Sequence, residues 1–412
     1  MLNCRVLLVA GFVLATLCAA QETMAQAVQD STSTRSKVIY DPINYSQVRA
    51  NLEWASQKSF WQRVVERFRT PLIKNNPDNK FQLTGSVGLG YMTETGVMFS
   101  AKAAAIYDKQ IEGALDYPST LSASAGVSVT GFYAINISGD NYFTDGKNRL
   151  SYSLDLSSLP IRFWGLGYEA ADVNPRAEYK KKYHIAKVRY MRHVVDRFWL
   201  GANLDFRYGH GGELNALAES YLADAGEALR SATSAGIGVV AEYDSRNSRV
   251  NTTRGIYISI LTEMRPKMLS NVDSDLWHVV AVADLFQPVW QGGVLAVDLY
   301  SDLWSSATPW VYWPAVGGDY RMRGYYYGRY TDRKLFSGQV ELRQNIYGPV
   351  SGCVWGGAAN VCSSHKLFDF SELLPNAGLG LRVELGKSGR LRVDYGFGRN
   401  SSGLIVSINE AF

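Results

Sequence analysis

An arginine inside a glycine-rich stretch is the most chemically specific feature of this sequence. Arg323 is followed by Gly324 and Tyr325, and the pair Gly317 and Gly318 lies just before it. A planar guanidinium forms bidentate, charge-assisted hydrogen bonds with carboxylates, so an arginine at the tip of a long connection can fix that connection in place. The chemistry that this stretch predicts is therefore anchoring by an ion pair.

A carboxylate partner for Arg323 lies in the next regular segment of the chain. Residues 334–347 alternate in polarity, which directs successive side chains to the two faces of a strand. One face carries Ser337, Gln339, Glu341, Arg343 and Asn345, and the other carries Phe336, Val340, Leu342 and Ile346. We expect Glu341 to pair with Arg323. The alternative is that Arg323 is a solvated loop cation.

The residues that would support catalysis or metal binding form no recognisable set. The sequence has no Gly-x-Ser-x-Gly elbow, and its histidines lack metal-ligand spacing. They are His184, His193, His210, His278 and His365. We expect no catalytic residue, no metal site and no cofactor, which leaves an outer-membrane enzyme as a remote alternative.

Composition favours a membrane barrel over a soluble enzyme. The chain has 25 Tyr, 10 Trp, 16 Phe and 38 Gly but only 12 Pro, which suits aromatic girdles and glycine-bearing turns. Beyond residue 27, no apolar run approaches the roughly 20 residues that a membrane helix needs. The 42 basic and 38 acidic residues are interspersed, so no clustered basic face and no nucleic-acid partner are expected.

From residue 81 onwards the hydropathy repeats every second residue, as in strands. The predicted strands are 81–91, 96–107, 120–131, 132–142, 148–160, 181–193, 196–208, 232–244, 255–265, 276–288, 292–304, 334–347, 351–361, 377–386, 389–398 and 403–412. A midplane Arg or Lys on the lipid face costs roughly 2–4 kcal/mol, so the polar set must face a wet lumen. A β-sandwich is the competing fold, but it would bury these charges. The expected fold is all-β, a sixteen-stranded antiparallel transmembrane β-barrel.

The N-terminal part of the chain has two other predicted features. Residues 1–27 have the charged, apolar and small-residue regions of a signal peptide, with cleavage after Ala27. Residues 28–79 form a periplasmic segment with an amphipathic helix over 46–70. This helix packs on the barrel rim as a linker, plugs or gates the lumen, or lies on the membrane surface.

Chain ends and connection lengths predict the orientation of the barrel. The C-terminal aromatic residue Phe412 is expected at the periplasmic rim, with short turns. The long connections 209–231, 305–333 and 362–376 then face outside.

Strand alternation also makes predictions for the last strand and for two cysteines. Ser407 and Asn409 are expected to face the lumen, and Glu410 the lipid. Cys353 and Cys362 should stay unbridged, because nine residues of extended chain span about 30 Å at roughly 3.3 Å each, far beyond the reach of a disulfide.

Four motifs occur in order within residues 80–412. They are residues 243–247 with 253–255, residues 317–325, residues 338–343 and residues 393–396. With these motifs, the chain resembles the BamA/TamA type of outer-membrane protein, also called the bacterial surface antigen family. The resemblance implies that residues 305–333 are a sixth extracellular loop that folds into the lumen, and that the first motif is a turn between the eighth and ninth strands. The implied turn residues are Asp244, Arg246, Arg254 and Gly255.

Two positions depart from the family pattern. Thr252 stands where the family has a proline in the turn of the first motif, so a looser turn is expected. Members usually carry an aspartate on the thirteenth strand that pairs with the loop arginine, and Gly357 stands there in this chain. We therefore expect Arg323 to pair with Glu341 and with no carboxylate of the thirteenth strand. An exposed ion pair contributes roughly 0–1 kcal/mol to stability, whereas loss of one partner of a desolvated pair costs roughly 3–5 kcal/mol. Because the lumen is expected to be wet, we expect the Arg323–Glu341 pair to lie in the lower half of this combined range.

The resemblance also implies a location and a function. The expected location is the outer membrane of a Gram-negative bacterium, and the short segment before the barrel suggests a member without periplasmic polypeptide-transport-associated domains. The implied function is insertion or translocation of protein or lipid, and the alternative is a passive or gated diffusion channel. Expected partners are outer-membrane lipid, an unidentified protein or lipid cargo, and the barrel-assembly machinery during biogenesis.

Overall fold

The structure is a computed structural model, and it describes most of the chain from residue 81 onwards. The described residues are 81–92, 96–107, 119–143, 146–223, 230–248, 251–363, 368–384, 390–408 and 410–412. The signal peptide over 1–27, the helix over 46–70 and Asn409 lie outside the described residues.

Sixteen strands make up almost all of the regular structure in the described residues. They are β1 (Phe81–Met92), β2 (Gly96–Tyr107), β3 (Ser119–Ser128), β4 (Tyr133–Tyr142), β5 (Asn148–Phe163), β6 (Ala177–Val195), β7 (Phe198–Gly212), β8 (Ser231–Asp244), β9 (Gly255–Arg265), β10 (Leu276–Trp290), β11 (Gly293–Trp304), β12 (Lys334–Tyr347), β13 (Val350–Cys362), β14 (Leu374–Glu384), β15 (Arg390–Gly398) and β16 (Ser401–Ile408). Two short helices, α1 (Tyr168–Val173) and α2 (Ala216–Leu222), lie in connections. Short 3₁₀ turns occur at Lys267–Leu269, Trp310–Tyr312 and Phe370–Glu372.

The strands pair with their sequence neighbours in antiparallel order, and β1 neighbours both β2 and β16. The β1–β16 seam is short, because these strands pair at one described position, Tyr91 opposite Val406. No described helix is long and apolar enough to cross a membrane. The predicted all-β fold with sixteen antiparallel strands is confirmed.

Strand alternation separates a lipid-facing surface from a lumenal one, and β7 shows the pattern. Leu204 and Phe206 are 56% and 49% exposed, whereas Asp205 and Arg207 are 2% and 5% exposed. The period-two pattern therefore has the predicted cause: apolar side chains meet the bilayer, and charged ones meet the interior.

Predicted strand boundaries fail most where the chain leaves the sheet. β6 begins at Ala177 rather than residue 181, and β16 ends at Ile408 rather than residue 412. Boundaries of this kind depend on which neighbour remains available for pairing, and a strand's own sequence does not contain that information.

Residues 305–333, which we call loop 6, pack against the inner face of the barrel wall. Trp310, Val311 and Tyr312 pack with Ile161 and Phe163 of β5 in one buried apolar cluster. A second cluster joins the later part of loop 6 to the wall at β12–β14. It contains Val316, Met322, Tyr325, Tyr330, Leu335, Ala359, Val361 and Leu374. The largest apolar clusters thus lie where loop 6 meets the barrel wall.

Both cysteines of the described chain are free and buried. Cys353 pairs with Arg343, and Cys362 pairs with Lys334, which places them towards opposite ends of β13.

Candidate functional site

Four residues bend the tip of loop 6. Gly317, Gly318 and Gly324 have φ angles of 105°, 109° and 105°, and Met322 has a φ angle of 51°. Glycine adopts such angles without strain because it has no Cβ. Gly317, Gly318 and Gly324 therefore allow the chain to reverse its direction inside the barrel.

Gly324 also allows the loop backbone to touch the backbone of β15. A Cβ on Gly324 would overlap the carbonyl group of Gly396, and a Cβ on Gly396 would overlap the carbonyl oxygen of Arg323. Two facing glycines remove both obstacles. Their meeting explains why glycine occurs both after Arg323 and at the end of the motif 393–396.

Arg323 bridges carboxylates from two strands. Its Nη2 donates to Glu341 Oε2 on β12 at 2.5 Å, and its Nη1 donates to Asp394 Oδ2 on β15 at 2.7 Å. Its guanidinium carbon lies 3.7 Å from the ring centroid of Trp355 on β13, which is a cation–π distance. The structure thus brings Arg323 and Glu341 together.

Each of these carboxylates also binds an arginine of the wall. Arg343 Nε donates to Glu341 Oε1 at 2.7 Å, and Arg382 Nη1 donates to Asp394 Oδ1 at 2.5 Å. Both carboxylates therefore keep one cation whether or not the loop is present. We call this group the tip cluster, and its members are Arg323, Glu341, Arg343, Arg382 and Asp394.

The tip cluster is dry, and the expectation of a wet pair is wrong. The side chains of Arg323, Glu341 and Asp394 are each 0% exposed. These ion pairs are therefore desolvated where the tip of loop 6 meets β12 and β15. The energetic range that applies is that of desolvated pairs, in which removal of one partner costs roughly 3–5 kcal/mol.

Sequence analysis missed Asp394 as the second carboxylate. It occurs in the motif 393–396 and on the same face of β15 as Arg392, so alternation alone would have placed it in the lumen. Its pairing with a residue 71 positions earlier was not visible in the sequence.

The thirteenth strand contributes an aromatic ring rather than a carboxylate. A Cβ on Gly357 would lie 2.5 Å from the carbonyl oxygen of Gly338 on β12, so a side chain there would require the strands to move. Trp355, two residues earlier, covers Arg323 instead, and its Nε1 donates to Asn376 Oδ1 at 2.8 Å.

A second arginine anchors the other side of the loop tip. Arg321 binds Asp298 of β11 through Nε at 2.9 Å and Nη2 at 2.7 Å, and its guanidinium carbon lies 4.2 Å from the Tyr300 ring centroid. Arg321 and Arg323 are two residues apart, with Met322 between them. They thus bind different parts of the wall, β11 and β12–β15.

Tyr325 fixes the loop immediately beyond the tip. Its hydroxyl donates to the Pro375 carbonyl at 2.6 Å and accepts from the Arg399 backbone N–H at 2.8 Å. Its ring lies over Gly398, where a Cβ would overlap it. Of the five motif residues predicted from sequence, Arg323, Gly324 and Tyr325 contact the wall, whereas Gly317 and Gly318 lie against other residues of loop 6.

The turn between β8 and β9 is ordered by its own ion pair. Arg246 donates to Asp244 through Nε at 2.9 Å and through Nη2 at 2.9 Å. Gly255 has a φ of 116°, and the Arg254 backbone N–H donates to Asn247 Oδ1 at 3.1 Å. These residues form a separate structural feature, and no described contact joins them to the tip cluster.

The C-terminus lies beside the tip cluster and corrects one prediction. Glu410 does not face lipid, because it is buried against Arg382 at 2.9 Å and Arg390 at 2.9 Å. β16 has ended by this point, so strand alternation no longer decides its direction. The backbone oxygen of Phe412 accepts from Arg343 Nη2 at 3.1 Å, and its ring lies 6.2 Å from that of Phe286.

A second ion cluster is formed by residues of β7, β9, β10 and β11. Arg265 pairs with Asp205 and, at 3.2 Å, with Glu263. His278 lies between Glu263, 2.9 Å from its Nδ1, and Asp302, 3.0 Å from its Nε2. We call these five residues the wall cluster, since every one of its charges comes from a strand.

Loop 6 contributes no charge to the wall cluster, but it contacts Arg207 and Ser234, which bind members of that cluster. The Tyr312 hydroxyl donates to the carbonyl oxygen of Arg207 at 2.9 Å and is 3.2 Å from the Ser234 hydroxyl. The first part of loop 6 therefore rests on this wall through an aromatic side chain, whereas its tip is tied by ion pairs.

Comparisons with known proteins agree with this architecture. The Omp85 superfamily domain matches residues 118–404. A search of curated proteins finds no match.

Three solved barrels are similar in structure. BamA from Haemophilus ducreyi, solved without POTRA domains 1–3, is 15% identical with a TM-score of 0.53, and the match covers 80% of this chain and 70% of that one. CdiB from Acinetobacter baumannii is 14% identical with a TM-score of 0.52, covering 81% and 60%. CdiB from Escherichia coli is 13% identical with a TM-score of 0.53, covering 81% and 64%. This chain thus spans less than two thirds of either CdiB chain, and these likenesses establish the fold.

The family match extends over more than half of the chain, from β3 into β16. Members of this family with this fold are barrels of the Gram-negative outer membrane. The chain therefore belongs to the Omp85 superfamily and is an outer-membrane β-barrel protein.

Proposed function

We propose that this barrel inserts or translocates protein or lipid at the outer membrane. The observation that carries the proposal is the tip of loop 6, which is tied to β12–β15 through buried ion pairs. A permanent diffusion pore has no need of a loop whose tip arginine, Arg323, is desolvated and shared between two strands. A loop that must stay in one position and then be released does need a specific ion pair of this kind.

The seam between β1 and β16 gives the barrel a lateral site for opening. One described pairing, Tyr91 opposite Val406, joins these strands, whereas β15 and β16 pair from Leu391 with Ile408 to Gly398 with Ser401. Separating a seam with few ladder hydrogen bonds costs less than separating any other neighbouring pair. Cargo would enter the bilayer there.

A disulfide across the seam tests this proposal. The full chain carrying Tyr91→Cys and Val406→Cys is reconstituted in liposomes, and the folding of an added urea-unfolded outer-membrane barrel is followed by heat-modifiable gel mobility. We expect the unaltered protein to accelerate folding over empty liposomes, the oxidised variant to lose the acceleration, and a reductant to restore it. Scrambling of a fluorescent lipid in the same liposomes tests the lipid branch.

The matched control places a disulfide between paired residues away from the seam. Ile258 and Ala283 are directly opposite on β9 and β10, and Ile258→Cys with Ala283→Cys should leave activity unchanged after oxidation. An oxidised seam variant as active as the control would refute lateral opening.

Conductance in planar bilayers separates the proposal from the diffusion channel. We expect sporadic openings of variable size from the unaltered protein, because loop 6 blocks the lumen until it moves. Steady, large openings would favour a porin and would contradict the proposed function.

A further inference from the structure

The strand β6 carries basic residues on both of its faces. Lys181 is buried on the lumenal face, whereas Lys182 is exposed on the outer one. Lys180 shares that outer face and binds Glu213 at 3.2 Å. β6 begins at Ala177, at the end of the barrel away from the C-terminus, so these outward lysines lie near the extracellular rim.

This outward surface continues from His184 on β6 to Tyr208 and His210 on β7. His210 is directly opposite Lys182, and Tyr208 is directly opposite His184. The His184 and Tyr208 rings are nearly parallel with centroids 5.4 Å apart, and the Tyr208 and His210 rings are nearly parallel at 6.5 Å. We call Lys182, His184, Tyr208 and His210 the rim group.

The rim group lies directly above the lipid-facing band of β7. Leu200, Leu204 and Phe206 are exposed on that face, and His210 follows on the same face. From Leu200 to His210 the strand rises about 33 Å at roughly 3.3 Å per residue. With a strand tilt of roughly 35–45°, this rise is about 25 Å of height, the thickness of the apolar band. The rim group therefore lies where acyl chains end and headgroups begin.

Lys182 supplies the formal positive charge of the rim group. In the part of the chain that the structure describes, Lys182 forms no ion pair, and the buried Nδ1 of His184 has no hydrogen-bond partner. Lysine, histidine and tyrosine side chains all donate hydrogen bonds, and the four members of the rim group lie on the outer face of the wall. Because the rim group lies at the height of the lipid headgroups, an anionic headgroup can reach these side chains.

We propose that the rim group binds a phosphate of the phosphorylated glycolipid in the outer leaflet. The rim group is continuous with the surface that contacts acyl chains. A ligand that has both acyl chains and a phosphate can therefore contact the apolar band and the rim group at the same time. Phosphate is the anionic group of such lipids, and clustered basic residues beside a membrane-spanning segment bind lipid headgroups by charge. The proposal is independent of what the barrel transports.

The test measures lipid binding to the purified full chain in detergent by native mass spectrometry. The probes are bis-phosphorylated lipid A and the same lipid after removal of its phosphates. We expect the unaltered chain to prefer the phosphorylated lipid. The double variant Lys182→Gln with His210→Gln should weaken that binding about five-fold, without changing binding of the dephosphorylated lipid.

Arg192→Gln is the matched control, because Arg192 is exposed on the outer face of the same strand at the opposite end. It should bind both lipids as the unaltered chain does. Heat-modifiable gel mobility verifies that each variant is a folded barrel. Equal binding of both lipids by the unaltered chain, or equal weakening by Arg192→Gln, would overturn the proposal.

Discussion

The tip cluster and the wall cluster contain the same kinds of groups but connect them differently. In the tip cluster, loop 6 supplies Arg323, and the strands supply Glu341 and Asp394. In the wall cluster, Arg265 and both of its carboxylate partners, Asp205 and Glu263, come from strands. The first cluster therefore couples the position of the loop to the wall, whereas the second stiffens the wall whatever the loop does.

The difference shows how a buried ion pair can hold loop 6 and still allow its release. Both clusters are desolvated, so neither is strong evidence for stability by itself. In the tip cluster, however, Arg343 and Arg382 remain beside Glu341 and Asp394 after Arg323 leaves. The wall carboxylates are never left without a cation, which lowers the barrier to release of the loop.

The largest expected effect comes from Arg323→Ala. It should free the tip of loop 6 and cost about 3 kcal/mol, the lower end of the range for a broken buried pair, because each carboxylate keeps one arginine. Hydrogen exchange of residues 317–330 should rise strongly, while the strands stay protected and the barrel stays folded. Pore behaviour in bilayers should change more than folding.

A double-mutant cycle of Arg323→Ala with Glu341→Ala sharpens this prediction. Coupling between the two changes isolates their direct interaction from the rest of the cluster. We expect a clear coupling in the free energy of unfolding, measured by urea titration in detergent. Simple additivity would show that Glu341 does not hold the loop.

Gly396→Ala disrupts the same contact from the side of the wall, without removing a charge. The added methyl group would overlap the carbonyl oxygen of Arg323, so the tip must withdraw from β15. We expect a loss of about 2 kcal/mol, within the range for overpacking, and increased exchange of the loop tip. Gly403→Ala, at the position opposite Gly396 on β16, serves as the control, and an equal effect there would argue against a specific contact.

Arg265→Ala tests the independence of the wall cluster. Asp205 keeps Arg207 at 3.3 Å and Glu263 keeps His278 at 2.9 Å, so we expect a cost of about 1.5 kcal/mol, the value of a hydrogen bond to a charged group. The loss should appear in barrel unfolding and not in exchange of residues 317–330. Release of the tip by this variant would break the distinction between the two clusters.

The smallest expected effect is that of Tyr312→Phe. It removes one hydroxyl that donates to the Arg207 carbonyl at 2.9 Å, and it leaves the ring in its apolar cluster. We expect a cost of about 1 kcal/mol, with higher exchange in the first part of loop 6 and an unchanged tip. Exchange that rises equally at the tip would mean that loop 6 moves as one unit.

The sequence by itself determined the strand pattern and the loop motif. Alternation every second residue is a local property, so it predicted sixteen strands and placed Glu341 on a lumenal face. The glycines and the arginine of residues 317–325 likewise identified the loop tip, because φ preference and guanidinium chemistry belong to single residues.

Only the tertiary structure decided which groups meet and how dry they are. Asp394 reaches Arg323 because loop 6 folds back and places its tip against both β12 and β15, and Glu410 turns inward because β16 has ended. Loop 6 excludes water from the tip cluster, so a pair expected to be wet is fully buried. Pairing partners, strand ends and desolvation depend on neighbours distant in sequence, and no local period encodes them.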